Sequence, residues 1–141
     1  QLLIEHEAAP TQHDVLQRML NALVESPLWN ALAEADTIYT ELPLSRLLPG
    51  DTERAADTVQ HGTIDLAYRT GDAWHLVDYK SDRIDNPAHL RELARAYAPQ
   101  LRLYATAWNE VMGQPPESGR LWFADAPRIG LEAEQPVALD A

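Results

Sequence analysis

A chain of 141 residues with 45% hydrophobic and 23% charged side chains has the size and composition of one globular domain, which excludes a chain disordered throughout. Without a single cysteine, it excludes disulfides, thiolate zinc sites, cysteine nucleophiles and cysteine-ligated iron–sulfur clusters together, and a cytoplasmic location is expected. The formal net charge of -11 argues against a surface that captures polyanions by itself, and no apolar run approaches the roughly 20 residues of a membrane span.

The opening residues, Gln1-Leu2-Leu3-Ile4-Glu5-His6, carry neither an initiator Met nor the basic start of a signal peptide, so the chain reads as one domain cut from a longer protein. Val15, Leu16, Met19, Leu20 and Leu23 recur at helical spacing and predict a helix over about 14–24. Ser26-Pro27 reads as an N-cap followed by proline in the first helical position, opening a second helix through about Ala35. Thr37-Ile38-Tyr39-Thr40-Glu41 is β-branched and aromatic, a strand expected to stop at Leu42-Pro43. From Leu44 to about Ala56, Pro49-Gly50-Asp51 predicts a loop with room for a short strand.

The clearest local signal is a hairpin, with strands 62–68 and 74–80 joined by a turn at Thr70-Gly71-Asp72. Alternation along the second strand puts Asp78 and Lys80 on one face and His75, Val77 and Tyr79 on the other. Asp65 lies at the far end of its strand from the turn, so the hairpin brings it beside Asp78. A helix is expected over about 88–96, with Pro99 starting a second one whose apolar stripe is Tyr97, Leu101, Tyr104, Trp108 and Val111 and whose stop is Gly113. Leu121-Trp122-Phe123-Ala124 reads as a buried strand paired with 129–131, and the tail beyond Glu132 as poorly ordered.

Of eleven basic residues, Lys80 is the one lysine; a chain that otherwise uses arginine has here a compact, titratable ammonium on a flexible stem. Acidic residues at 41, 65 and 78 with that lysine supply what phosphodiester hydrolysis needs. Carboxylates bind Mg²⁺ or Mn²⁺ as hard ligands, the ion acidifies its bound water, and the ammonium orients that water or neutralises charge on the phosphate. The competing reading is a pair of solvated strand acids with a same-face ion pair, against which stands the cost of an Asp inside the apolar run Leu76-Val77.

Gly62-Thr63-Ile64-Asp65, Val77-Asp78-Tyr79-Lys80-Ser81-Asp82-Arg83 and Gln100-Leu101-Arg102-Leu103-Tyr104 together resemble the PD-(D/E)XK nuclease superfamily, and more narrowly the RecB/AddA-type domain of helicase–nucleases. Glu25-Ser26-Pro27-Leu28 and Glu41-Leu42-Pro43 are similar to that family too, so the resemblance runs from about residue 20 to 125. It implies an α/β, restriction-endonuclease-like core with a central mixed sheet flanked by helices. It implies Asp65, Asp78 and the backbone carbonyl of Tyr79 as metal ligands, Lys80 as the catalytic lysine and Glu41 as a further acid near the metal. Gln100 and Tyr104 then match a Gln-x-x-x-Tyr motif that lines the site and holds DNA or the lysine.

The activity implied is Mg²⁺-dependent deoxyribonuclease, the exonuclease module of such an enzyme, with Mn²⁺ as a substitute, acting in double-strand-break repair. The partners implied are single-stranded DNA, helicase domains of the same chain and a second helicase–nuclease subunit. A Gly-x-x-x-His helix signature usual in RecB-type domains is missing, which implies a piece starting after it or a site without that ligand. His61, His75 and His89 read as surface or packing histidines. Arg83, Arg91, Arg95 and Arg102 are available for a local basic strip. The alternatives are a nuclease-fold module that holds DNA or docks another protein chain without turnover, and a stand-alone junction endonuclease, which the acidic charge disfavours.

Overall fold

The computed structural model describes residues 11–48, 50 and 56–140. Helix α1 (Gln12–Val24) opens at Thr11, whose hydroxyl accepts from the Asp14 amide while Asp14 accepts from the Thr11 amide, each at 3.2 Å. Helix α2 (Pro27–Glu34) starts from the Ser26 cap, with proline at its first position as expected. Strands β1 (Thr37–Leu48), β2 (Thr58–Thr70) and β3 (Ala73–Lys80) follow, then helix α3 (Pro87–Met112), β4 (Ser118–Phe123), a 3₁₀ turn (Ala126–Ile129) and β5 (Glu134–Val137).

The five strands form one mixed sheet in sequence order: β1, β2 and β3 are antiparallel, β4 joins β3 in parallel after the α3 crossover, and β5 closes antiparallel on β4. Helix α3 covers one face, where Leu90, Leu101, Ala105 and Trp108 meet Trp74, Leu76, Leu121 and Phe123. Leu28 of α2 covers the other, against Leu66, Tyr68, Val77 and Trp122. The α/β architecture with helices flanking a central mixed sheet agrees with expectation. Among the described residues no helix is long and apolar enough to cross a membrane.

Four expectations are corrected. Strand β1 runs through Pro43, which pairs with Thr63, because β1 is an edge strand and a missing N–H there interrupts no second ladder. The sequence 44–48 is thereby strand, while residues 49 and 51–55 of the expected loop lie outside the described residues. Helix α3 is one helix with Pro99 inside it: the proline is exposed and forfeits one hydrogen bond, which burial of Leu101, Ala105 and Trp108 outweighs. The partner of β4 is β5, not 129–131, and the tail is ordered at least through Asp140. Val137 and Leu139 pack on the core, and Glu134 pairs with Arg120 at 3.5 Å.

Candidate active site

A strand keeps alternate side chains on opposite faces, and β1 and β2 both break that rule at one level of the sheet. In β2, Ala67 and Ile64 belong to the core layer under α3, while Leu66 and Tyr68 belong to the layer under α2, so the alternation slips at Asp65. In β1, Tyr39 stacks on Trp74 of the α3 layer and Leu42 packs into the same layer, so it slips at Glu41. The ladder passes from Thr40–Leu66 to Leu42–Ile64 and omits Glu41 and Asp65; Glu41 takes φ 50°, a left-handed conformation costly for a side-chain-bearing residue. Across the hairpin, the β2–β3 ladder ends at Leu66–Val77, one step before Asp65 and Asp78. The two strands splay there, and Asp65 turns to accept from the Tyr79 amide at 2.7 Å.

Asp78 is 5% exposed and faces α3 with Trp74 and Leu76. Burial first, and then the neighbouring Asp65 carboxyl, push its carboxyl up to about 6, against the opposing pull of Lys80. Lys80 Nζ lies 2.9 Å from Asp78 Oδ2, so the expected same-face pair forms. Gln100, one residue past Pro99 on α3, accepts from Lys80 Nζ at 3.0 Å. Tyr104, a turn later, packs its ring on Gly62, where an added Cβ would lie 2.7 Å from the ring. Gln100 and Tyr104 both border a small pocket with Leu44, His61 and Gly62.

Asp65, Asp78, Lys80 and Gln100 therefore converge, and Tyr104 stands beside them. The Glu41 side chain is exposed, and its carboxylate has no hydrogen bond or ion pair with the cluster. Arg102 leaves the anticipated basic strip: its Nε donates to the Ala138 carbonyl at 2.8 Å. Three histidines make bonds outside the cluster. His75 is wedged between Ser118 and Thr70 hydroxyls at 2.7 and 3.0 Å, His61 bonds Ser45, and His89 accepts from the Asp85 amide.

Two features were not legible as site elements. Tyr97, read as part of an apolar stripe, lies under the Lys80 ammonium, 4.0 Å from ring centroid to Nζ, and its phenol donates to Asp82. That bond raises the phenol's pKa, so it stays a donor. The loop leaving β3 is fixed by Asp125, which accepts from the Ile84 amide at 2.8 Å and from Arg128 Nε and Nη2, both at 2.9 Å. Burial alone would raise the Asp125 carboxyl, but these donors hold it below its ordinary value. A short Lys80-Ser81-Asp82 spacing beside an aromatic one helical turn before Gln100 was the available signal for the first; none marked the second.

The sequence matches the PD-(D/E)XK nuclease superfamily over residues 2–140. The chain belongs to the PD-(D/E)XK nuclease superfamily. Asp78-Tyr79-Lys80 reads as the D-X-K of that name, and Asp65 as its first Asp, preceded here by Ile64 instead of Pro. The chain is similar to the A-type subunit of the ATP-dependent helicase/nuclease of Heliobacterium modesticaldum, 30% identical over 79% of this chain. It is 29% identical to that of Carboxydothermus hydrogenoformans over 94% of this chain, and 36% identical to that of Limosilactobacillus fermentum over 69%. It spans only 8% to 12% of the length of these relatives.

PD-(D/E)XK nucleases generally use divalent metals, and the residues here fit one. Asp78 Oδ2 is buried, its contact being the 2.9 Å ion pair with Lys80 Nζ, which leaves it capacity to ligate a cation. Asp65 beside it is a second hard oxygen donor, and a cation relieves the repulsion between the two. Among the described residues no three His, Cys, Asp or Glu side chains gather as a cage.

Proposed function

We propose that this domain hydrolyses DNA phosphodiester bonds with Mg²⁺, or Mn²⁺ in its place, held by Asp65, Asp78 and the backbone carbonyl of Tyr79. The observation that carries the reading is the meeting of Asp65, Asp78 and Lys80 at the splayed end of β2 and β3, with Gln100 holding the ammonium. A bound ion supplies a Lewis acid for the phosphate and acidifies the attacking water.

Lys80 has the remaining task. Its side chain is 14% exposed, and its ammonium, steadied by Asp78 and Gln100, stands where it orients the attacking water or donates to a non-bridging phosphate oxygen as negative charge builds there. Asp78 must give up its proton to ligate, and an arriving cation favours that ionisation. Tyr104 and Gln100 border the entry on the α3 side, where a strand of DNA is gripped. Glu41, level with Asp65 but turned outward, joins only through a side-chain rotation when substrate and ion are present.

The formal charge of -11 supports delivery of DNA by a neighbour instead of capture by this surface. The relatives are named as subunits of ATP-dependent helicase/nucleases, which supports our reading of a nuclease module fed single-stranded DNA by helicase domains of the same polypeptide, alongside a second helicase–nuclease subunit and in double-strand-break repair. The test is cleavage of a labelled single-stranded oligonucleotide in Mg²⁺ or Mn²⁺ by the wild-type chain, Asp78→Ala and Lys80→Ala. Cleavage that needs the ion and disappears in both variants upholds the reading. An inert wild type that binds no ion leaves a nuclease fold used for holding DNA or docking another protein chain.

A further inference from the structure

We propose that Tyr97 is a positioning residue for Lys80: its ring, clamped by Asp82, fixes the ammonium at the point where Asp78 and Gln100 meet it. The inference rests on the nuclease reading above and names a further residue for the same reaction.

Tyr97 and Gln100 are three residues apart on α3, so they share a helix face and reach Lys80 together. The Lys80 Nζ is 4.0 Å from the Tyr97 ring centroid, 3.0 Å from Gln100 Oε1 and 2.9 Å from Asp78 Oδ2. The ring is not free to turn. Its hydroxyl donates to both Asp82 oxygens, at 2.9 and 3.1 Å, and its face tilts against Phe123 with centroids 6.3 Å apart. Asp82 lies two residues past Lys80, so one short stretch carries both the ammonium and the anchor of the ring beneath it.

The chemistry favours this arrangement for a working lysine. A long flexible stem has many rotamers, and each hydrogen bond that restrains it uses one of the three N–H donors. An aromatic face attracts the ammonium through its quadrupole and uses none, which leaves donors for water or a phosphate oxygen. A ring that served only as core filling would not need its hydroxyl bonded to a carboxylate on the lysine's own loop.

Lys80 is the one lysine in the chain, so protein labelled with ¹³C-lysine gives a single set of side-chain resonances. In the wild type the Lys80 ε-protons are expected upfield of their free position, because they lie over the ring. Tyr97→Leu is expected to abolish that displacement, and Tyr97→Phe, which keeps the ring but loses its bond to Asp82, to retain only part of it. In single-strand cleavage, Tyr97→Leu is expected to lower kcat roughly tenfold, with KM changed less than about twofold. Tyr97→Phe is expected to restore kcat to within about threefold, and Tyr97→Leu to cause no further loss in a Lys80→Ala background.

An undisplaced wild-type resonance, or a Tyr97→Leu protein with wild-type kcat, overturns the proposal while leaving the nuclease reading intact. If the wild type does not cleave at all, the nuclease reading fails, and the lysine resonance alone decides whether Tyr97 positions the ammonium. Should Tyr97→Leu fail to fold, Asp82→Ala replaces it: loss of the clamp is expected to reduce the upfield displacement, and an unchanged resonance overturns the proposal.

Discussion

Replacing Asp78 by Asn should stabilise the ion-free protein at neutral pH, and should do so by an amount that depends on pH. The Asp78 carboxyl is pushed from 3.8 up to about 6 in the fold. Between those values the folded state holds a proton that the unfolded chain has released, so stability from protonated Asp78 is complete below 3.8 and is lost as pH rises through about 6. Two pH units correspond to about 3 kcal/mol at most, and solvent and Lys80 at the sheet end reduce this to about 1–2 kcal/mol. Asn cannot ionise and escapes the loss. Thermal melts in EDTA should therefore give wild type and Asp78→Asn similar midpoints near pH 4, with the variant about 4–8 °C higher by pH 8. Mg²⁺ or Mn²⁺ at pH 8 should reverse the order, because it stabilises only a site with both carboxylates. A midpoint difference that stays constant from pH 4 to pH 8 would show that ionisation of Asp78 does not destabilise the fold.

Three further outcomes are expected. Gly62→Ala should destabilise by about 1–2 kcal/mol, since the new Cβ lies 2.7 Å from the Tyr104 ring, and Tyr104→Leu in the same chain should recover the loss in a denaturant titration. Asp125→Ala should cost about 2–4 kcal/mol, as Arg128 loses two hydrogen bonds at 2.9 Å and the Ile84 amide its acceptor; an unchanged melt would show that the loop after β3 holds without them. Glu41→Gly should raise the melting midpoint by about 1–3 °C, since it removes a side chain held at φ 50°, yet lower the cleavage rate if Glu41 serves the site.

The local pattern of residues was a good guide where local physics decides. The Ser26-Pro27 cap, the hairpin around Gly71 and the shared face of Asp78 and Lys80 all follow from capping, turn chemistry and strand alternation, and all are present. Where tertiary context decides, the sequence misled. Pro99 looks like a helix boundary until the burial of Leu101 and Trp108 is known, and Pro43 looks like a strand end until β1 is known to be an edge. The slip in alternation at Glu41 and Asp65 leaves no trace in a single sequence, because Ile64 and Leu66 are equally apolar though they face opposite layers. Tyr97 was invisible for a related reason: an aromatic at helical spacing satisfies the core pattern equally well when its ring carries a lysine.

Where Mn²⁺ sits in crystals of the chain grown with the ion, located by its anomalous scattering, decides whether Asp65 and Asp78 hold the metal. One peak within about 2.5 Å of carboxylate oxygens of both Asp65 and Asp78 and of the Tyr79 carbonyl, with Lys80 Nζ beside it but not bound to it, is expected. Density for Mn²⁺ elsewhere, or none at the splayed end of β2 and β3 at millimolar concentration, would contradict it.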